Sequence, residues 1–413
     1  MTSAAKSARG RGWLVSLMLA TFAIGTDDFV VAGVLPAIAA DQGVSEAAAG
    51  QLVTVFSLTY ALAAPPLAVA TARWPRKTLV VGGLAVFAVI NVVTALAPTY
   101  AALMALRVLA ALAAAAITPA LFALAGGLAA PERVGRAIGV VASGLTMSLF
   151  LGVPIGSLLG SAFGWRSTFL AVALFTCAVL AAAAATLPAL PGAPKIGVGA
   201  QVRALSRTAV LLSVLATVTG AAGGMMTYTY IAPITHDLTG RGGAILAAFI
   251  GVVGVAGAAG SVAGGRLTDR WGADRALLFT FGVLLAATAA LAITGFVGGG
   301  TAPVWLVMIV LAAWGFGGWG FNPPMNARAL RLAGDAGTEA VALNTSGLYV
   351  GIALAGGLGG TAVALYGGLG ATVAATAIGV ATLFLMLFSV RRYPSEPTPE
   401  ASDPTVGTTI RQE

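Results

Sequence analysis

Two adjacent carboxylates, Asp27 and Asp28, are the residues of this sequence whose type and position most directly indicate chemistry. They lie within residues 13–38, which read WLVSLMLATFAIGTDDFVVAGVLPAI and contain no other charge. An ionised acid at bilayer depth is costly, so such residues usually face a bundle interior or a water-filled path. The pair therefore predicts a site that binds and releases a proton.

A basic residue at a similar depth is the candidate partner of these acids. Arg107 is the only basic residue deep within an apolar segment. At 1.5 Å per residue, Arg107 lies about 10 Å from the end of its helix near Tyr100, and Asp28 lies about 15 Å from the end near Ile38. Buried opposite charges at one depth should pair, so we expect Asp28 and Arg107 to be partners. The alternative is a static ion pair that only fixes helix packing.

Helical geometry separates the two acids, because consecutive side chains project about 100° apart. The face of Asp28 is the smaller and more polar one, with Thr21, Gly25, Ala32 and Leu35. The face of Asp27 is apolar, with Ala20, Ala23, Ile24, Val30 and Val34. We therefore favour Asp28 as the proton carrier and treat Asp27 as an auxiliary site.

The composition is that of an integral membrane protein. The 413 residues are 58% hydrophobic and 9% charged, whereas soluble domains carry about 25% charged residues. Cys177 and His236 are the only residues of their types, which argues against a metal site or a histidine-based catalytic triad. A G-x-x-x-x-G-K-S/T nucleotide loop is also absent from the sequence. We expect no enzymatic activity, no cofactor other than the proton as coupling ion, and no nucleic-acid partner.

The apolar segments predict an all-α membrane protein with twelve spans, since one crossing needs about 20 apolar residues. The expected spans are residues 13–38, 47–70, 78–97, 101–125, 136–161, 167–187, 208–233, 243–265, 275–296, 303–325, 340–365 and 369–390. Residues 1–187 and 208–393 would then form two six-helix bundles. Residues 188–207 would be a cytoplasmic linker, and residues 394–413, rich in Pro, Thr, Ser and Glu, a disordered cytoplasmic tail.

The cations fall on one side of this twelve-helix arrangement. That side holds Lys6, Arg9, Arg11, Arg73, Arg76, Lys77, Arg133, Arg136, Lys195, Arg203, Arg207, Arg266, Arg270, Arg275, Arg328, Arg331, Arg391 and Arg392, whereas the other holds only Arg166 and Arg241. Because basic loops remain in the cytoplasm, both termini are expected there. The localisation expected is a bacterial cytoplasmic membrane.

Two sequence features of the first half recur in the second half at the same distance along the chain. Arg73-Trp74 and Arg270-Trp271 are 197 residues apart, and so are Pro36 and Pro233. Two six-helix halves of matching topology imply a pseudo-two-fold axis along the membrane normal, with the substrate path between them.

The run LPAIAADQGVSEAAAGQLVTVFSLTYALAAP from Leu35, the following ARWPRK and the run APTYAALMALRV around Arg107 resemble the drug:proton antiporter branch of the major facilitator superfamily. That subgroup includes bacterial chloramphenicol exporters, arabinose-efflux-like permeases and purine-efflux proteins. The resemblance implies a fold of two pseudo-symmetric six-helix bundles and a monomeric transporter. It also implies proton coupling through the arginine of the fourth span, and Asp28 aligns with the acid typical of the subgroup.

The resemblance further implies a gating loop after the second span, of pattern G-x-x-x-D-R-x-G-R-R/K. This sequence keeps Arg73, Arg76 and Lys77 but has Ala68, Ala72 and Pro75 at the glycine, aspartate and second glycine positions. The loop of the second half is closer to the pattern, with Gly265, Asp269, Arg270, Gly272 and Arg275. We expect Asp269 and Arg270 to help hold the cytoplasmic side closed. The alternative is that these charges only set the orientation.

The fifth span is similar to the glycine-proline signature of antiporters, with Gly144, Gly152, Val153, Pro154, Gly156 and Gly160. Small residues let helices approach closely, and proline removes a backbone donor and bends the helix. Such a span could pack against its partner and rock. The alternative is ordinary glycine-mediated packing, since the chain has 55 glycines.

The substrate cavity is predicted from polarizable and aromatic residues, which suit varied apolar ligands. The candidates are Met147, Phe150, Met225, Met226, Tyr228, Tyr230, Trp314, Phe316, Trp319, Phe321, Asn322, Asn344 and Tyr349. The alternative for each aromatic residue is a lipid-facing or interfacial position.

Together these features predict a proton-coupled antiporter that exports small, partly hydrophobic compounds such as antibiotics. A second hypothesis is an exporter of a sugar, a nucleoside or another metabolite. A third is a non-transporting membrane sensor built on a transporter fold, against which the acid pair argues because a sensor needs no proton site.

Overall fold

The computed structural model describes residues 12–130, 133–192, 207–334 and 337–395. Lys6, Arg9 and Arg11 lie outside these ranges, as do most of the predicted linker and tail, including Lys195 and Arg203. The first half contains the helices Gly12–Phe29, Val31–Gln42, Glu46–Ala70, Arg76–Ala95, Tyr100–Leu128, Val134–Met147, the π-helix Ser148–Gly152, Val153–Phe163 and Trp165–Thr186. The second half contains Thr208–Thr229, Ile231–Thr239, Ala244–Trp271, Ala273–Gly298, Val304–Gly320, Asn322–Ala333 and the long stretch Gly337–Arg392.

The described helices make the expected twelve spans. Ten helical stretches are long and apolar enough to cross a membrane, and a pair bent by 43°, Gly12–Phe29 with Val31–Gln42, makes an eleventh. The stretch Leu343–Arg392 has 50 residues, whereas one crossing needs about 20. Non-helical backbone at Tyr366 and Gly367 divides it into the eleventh and twelfth spans. The predicted fold class is confirmed.

The helices of the first, seventh and tenth spans are each interrupted a few residues before a proline. The seventh breaks at Tyr230, three residues before Pro233, and the tenth breaks at Phe321, before two consecutive prolines. The first span bends at Val30, ahead of Pro36. Because proline cannot donate a backbone hydrogen bond, the helix is weakened on the side preceding it. In the first span the bend lies directly after Asp27 and Asp28.

The helical bundle has two end faces, each marked by the connections that it carries. The terminal face carries the ends of the described chain and the connections at 71–75, 129–133, 187–192, 272, 334 and 393–395. The opposite face carries the connections at 43–45, 96–99, 164, 240–243, 299–303 and 366–367.

The two halves contact each other from the opposite face down to the level of the acids. Near that face the side chains of Gln51 and Tyr230 both donate hydrogen bonds to the carbonyl of Gly356, at 3.2 Å and 2.7 Å. The fifth and eighth spans meet where Gly254 packs directly on Phe150. A side chain at Gly254 would overlap the Phe150 backbone, so glycine is required for this close approach.

Candidate functional site

Asp27 and Asp28 occupy the last turn of the first helix, just before the bend of the first span. Their side chains are 1% and 2% exposed. Asn91 of the third span lies close to Asp27. The acids therefore lie inside the bundle, as the cost of placing a charge in lipid requires.

Arg107 of the fourth span pairs with Asp27. Its Nη1 donates to Asp27 Oδ2 at 2.9 Å and to the Asp27 carbonyl oxygen at 3.2 Å. The guanidinium also lies 4.3 Å from the centre of the Phe56 ring, which is a cation–π contact. The expected partnership of Arg107 with Asp28 is thus corrected. Depth alone could not choose between adjacent acids, and the face that meets the fourth span is that of Asp27.

Asp28 faces the other half of the molecule. Its Oδ2 accepts a hydrogen bond from the Tyr349 hydroxyl of the eleventh span at 3.2 Å. The Tyr349 ring stacks on Tyr60 of the second span, with centroids 4.0 Å apart and an angle of 27° between the planes. Asp28 and Tyr60 from one half therefore both contact one tyrosine of the other half.

The buried cluster contains more acid than base. Two carboxyl groups accompany one guanidinium, and the ion pair uses only Asp27. Among the described residues, the other carboxylate oxygens, Asp27 Oδ1 and Asp28 Oδ1, have no hydrogen-bond partner, nor do Nε and Nη2 of Arg107. Because buried charges are normally paired and fully hydrogen-bonded, a cluster of this composition is suited to exchanging a proton.

A small cavity of about 50 Å³ is lined in part by Phe29, the residue that follows Asp28. Five of the predicted cavity residues line it together with Phe29: Met225, Trp314, Trp319, Phe321 and Asn322. Tyr228 packs between the rings of Phe29, Trp314 and Trp319. The sequence singled out the right part of the tenth span, whereas Phe29, adjacent to Asp28, was missed.

The other predicted cavity residues pack between helices and do not line this cavity. Tyr230 donates to the Gly356 carbonyl within its own half and packs directly on Gly50 of the other half. Phe150 packs on Gly254 of the other half. Asn344 bonds to Thr217 and, at 2.8 Å, to Asn326. Met226 is fully buried beside Gly359, and Met147 is half-buried where the fifth span enters its π-helix.

The glycines of the fifth span form a packing stripe against the first span. Gly144 meets the Met18 carbonyl and Thr21, Gly152 meets Thr26, and Gly156 and Gly160 meet valines of the first span. Pro154 lies two residues after a π-helical turn and faces Gly251 of the eighth span. The expected close packing is present, and the antiporter role of this span remains a prediction.

The predicted gating residues lie at the terminal face. Arg73 is exposed, Arg76 and Lys77 are half-buried, and the Arg76 backbone N–H donates to the Leu190 carbonyl at 2.9 Å. Asp269 and Arg270 are exposed. Their gating role stays a prediction.

A buried ion pair nearby was not anticipated from the sequence. Arg328, 1% exposed, pairs with Asp274, and its Nη2 donates to the carbonyls of Ser389 and Tyr393. Asp274 Oδ2 also accepts from the Ser395 backbone N–H at 2.8 Å. This group ties the ninth, tenth and twelfth spans together.

The described residues bear on whether this site could hold a metal ion. Within those ranges, no group of three or more His, Cys, Asp or Glu side chains is placed to hold a metal ion. The functional groups that the described site residues carry are carboxyl, guanidinium, phenol and indole groups.

Comparisons with known proteins agree with this architecture. Residues 17–339 match the family model described as Major Facilitator Superfamily. A chloramphenicol resistance protein of Streptomyces lividans is 32% identical over 387 residues, covering 92% of this chain and 96% of that protein. A chloramphenicol efflux pump of Mycobacterium tuberculosis is 29% identical over 375 residues, covering 90% and 91%.

Solved structures show the same fold. A bacterial homologue of the human lysosomal transporter Spinster, in an inward-facing and unoccupied conformation, matches with a TM-score of 0.68 at 17% identity. The match covers 94% of this chain and 99% of that one. The family match extends over most of the chain and the fold neighbours are transporters, so this chain belongs to the major facilitator superfamily of membrane transporters.

Proposed function

We propose that this chain is a proton-coupled antiporter that exports small, partly hydrophobic compounds, with chloramphenicol-like antibiotics as the first class to test. The observation that carries the proposal is the buried cluster in which Arg107 neutralises Asp27 and leaves Asp28 facing Tyr349 of the other half. The relatives that are chloramphenicol resistance and efflux proteins support the substrate class.

Proton binding follows from the charge balance of the cluster. With both acids ionised the cluster carries one net negative charge, and with one proton it is neutral. Burial disfavours the charged form, and Asp27 already has a cation. The exchangeable proton is therefore assigned to Asp28.

Coupling to the conformational change follows from the position of Tyr349. When the halves separate at the level of Asp28, the hydrogen bond from the Tyr349 hydroxyl to Asp28 must break. The ionised acid then loses its only hydrogen-bond donor in the described structure unless water or a cation replaces it. Protonation of Asp28 would thus favour separation of the halves, and deprotonation would favour their closure.

The orientation proposed places the terminal face in the cytoplasm of a bacterial cell, because the basic residues concentrate there. A proton would enter from the opposite face and leave at the terminal face while the compound moves outwards. One charge crossing 100 mV supplies about 2.3 kcal/mol. At about 150 mV, one proton could support roughly a 300-fold gradient of a neutral solute.

Radiolabelled chloramphenicol in proteoliposomes with an imposed pH gradient tests the proposal. The wild type should accumulate the compound only with the gradient, and Asp28→Asn should lose this accumulation. Asp28→Asn should still exchange labelled for unlabelled compound without a gradient, because Asn mimics the protonated acid and preserves binding.

Asp41→Asn is the matched control, because Asp41 is an exposed acid of the same span, paired with Arg166. It should accumulate the compound at close to the wild-type rate. Full gradient-driven accumulation by Asp28→Asn would contradict the assignment of the proton to this residue.

A further inference from the structure

A cleft opens at the terminal face between the start of the first span, the end of the fourth span and the start of the fifth span. It is called the basic cleft below and has a volume of about 400 Å³, within the range of roughly 300–1,000 Å³ typical of ligand pockets. Its walls are mostly apolar, and the residues that line it include Trp13, Leu14, Val15, Leu128 and Val140. The cleft is therefore large enough and apolar enough to hold part of an amphiphilic molecule.

The corresponding place in the second half is filled. It lies between the start of the seventh span, the end of the tenth span and the start of the eleventh span. A buried apolar cluster occupies it, made of Val210, Val214, Ala329, Ala333 and Ala340. The Arg207 side chain adds a hydrogen bond to the Ala333 carbonyl. Because the two halves share one topology, the fold itself does not require an open cleft here, and the cleft is specific to the residues of the first half.

Two arginines give the cleft a positive charge. Arg133 and Arg136 both line it, are exposed, and pair with no acid among the described residues. Glu132 lies outside the described residues, and two arginines less its carboxylate still leave one net positive charge. Guanidinium groups bind phosphate through paired N–H donors, so the cleft offers two phosphate-binding groups beside an apolar wall.

The cleft lies at the level where lipid headgroups meet acyl chains. Trp13 belongs to the first turn of the first helix, and tryptophan is enriched at this level of a membrane. The side chain of Val15, two residues further into the span, is 46% exposed and continues the apolar surface. A molecule in the cleft can therefore place a charged group at the terminal face and a hydrocarbon chain beside the first span.

We propose that the basic cleft binds an anionic phospholipid of the leaflet at the terminal face. The phosphate pairs with the guanidinium groups of Arg133 and Arg136, and the glycerol with the start of the acyl chains occupies the apolar part of the cleft. Basic pockets between membrane helices bind anionic lipid headgroups. The inference goes beyond the proposed function, because lipid binding needs neither a transported compound nor a proton gradient.

A lipid in this cleft bridges the first and fifth spans. Val140 lies one turn before Gly144, which packs against Met18 and Thr21 of the first span. The lipid thus extends the contact between these two spans to the terminal face. Because a ligand that binds only the folded protein stabilises it, occupancy should raise the thermal unfolding temperature.

Native mass spectrometry of the delipidated full-length protein, titrated with lipid in detergent, tests the proposal. The probes are dioleoylphosphatidylglycerol, which is anionic, and dioleoylphosphatidylcholine, which has the same chains and no net charge. The anionic lipid should bind about fivefold more tightly. Glycerol 3-phosphate, a phosphate without chains, should not displace it, because this compound cannot use the apolar walls.

Substitution of the arginines locates the effect. Arg133→Gln and Arg136→Gln should each weaken binding of phosphatidylglycerol about fivefold, and the double variant about 25-fold, with a narrower preference over phosphatidylcholine. The matched control is the double variant Arg266→Gln with Arg391→Gln, which removes two exposed arginines of the second half at the same face. It changes the net charge equally and should keep the wild-type preference.

A third variant tests the cleft without changing its charge. Ala129 lines the cleft and ends the fourth helix in an extended conformation, which leucine also adopts without strain. Ala129→Leu should weaken binding of both phospholipids by taking apolar space. An unchanged thermal unfolding temperature without lipid would show that this variant is folded.

Thermal unfolding with and without lipid gives a second readout. Phosphatidylglycerol should raise the unfolding temperature of the wild type and of the second-half control more than that of the double cleft variant. Equal affinity for the two phospholipids, or an unchanged preference in the double cleft variant, would overturn the proposal. Displacement by glycerol 3-phosphate would also overturn it, in favour of a soluble phosphate compound. None of these measurements involves transport, so a failure of the proposed antiport would leave them unchanged.

Discussion

The Tyr349 hydroxyl lies 3.2 Å from Asp28 Oδ2 and donates a hydrogen bond to it, although the two residues are 321 positions apart and belong to different halves. Asp27, the neighbour of Asp28, is bound instead to Arg107 of its own half. One acid thus belongs to the packing of a single bundle, and the other lies at the contact between the bundles.

We predict that Tyr349→Phe weakens coupling without abolishing substrate binding. The variant keeps the ring stacked on Tyr60 and removes only the donor to Asp28. Hydrogen bonds to charged groups contribute about 1.5–3 kcal/mol, so gradient-driven efflux in proteoliposomes should fall about tenfold or more. Tyr366→Phe, at an exposed tyrosine, should have no effect. Unchanged efflux by Tyr349→Phe would remove Tyr349 from the coupling mechanism.

The Asp27–Arg107 pair should have mainly a structural role, which a double substitution can show. Arg107→Met leaves Asp27 buried without its cation, and breaking a buried pair costs about 3–5 kcal/mol. We predict low yield and a lower thermal unfolding temperature for Arg107→Met, with both largely restored when Asp27→Asn is added. Thermal unfolding in detergent measures this. No recovery in the double variant would indicate that Arg107 stabilises the bundle independently of Asp27.

The sequence was sufficient for the fold and for the membership of the charged cluster, because both depend on local patterns. Apolar runs of bilayer length give the spans, and a charge within such a run is conspicuous. The partners of the acids were not accessible in this way. The matching depths correctly predicted that Arg107 pairs with an acid of the first span. Which of Asp27 and Asp28 it pairs with depends on how the first span is rotated against the fourth.

Long-range partners were missed for the same reason. Tyr349 was predicted only as a cavity residue, since nothing in the eleventh span indicates that it reaches Asp28. The burial of Arg328 was not predicted, because the sequence analysis grouped this residue with the basic loop residues that set the orientation. Tyr230, expected in the cavity, lies in the contact between the halves, where it packs on Gly50 of the second span. Its direction depends on the break in the seventh span, which the sequence pattern alone does not place.

A disulfide across the opposite face should lock the transporter. A Cβ at Gly356 would touch Thr54 of the second span, 3.3 Å from its Cβ, which is close to the Cβ separation of natural disulfides. In a Cys177→Ser background, Thr54→Cys with Gly356→Cys should crosslink on mild oxidation and lose transport. Reduction should restore transport, and Thr54→Cys alone should remain active when oxidised. A crosslinked protein that still transports would contradict the opening of the halves at this face.

The terminal-face cluster should make the stability of the second half depend on a few residues after the twelfth span. Arg328 donates to the Tyr393 carbonyl, and Asp274 accepts from the Ser395 N–H. We predict that deleting residues 396–413 leaves the thermal unfolding temperature in detergent unchanged. Deleting residues 393–413 should lower it, because the buried Arg328 and the half-buried Asp274 each lose a hydrogen bond. Hydrogen bonds to charged groups contribute about 1.5–3 kcal/mol each. Asp274→Asn should destabilise the full-length chain, whereas Asp269→Asn, at an exposed acid of the same loop, should not. Equal unfolding temperatures for the two deletions would mean that the ion pair between Arg328 and Asp274 is stable without the chain segment that covers it.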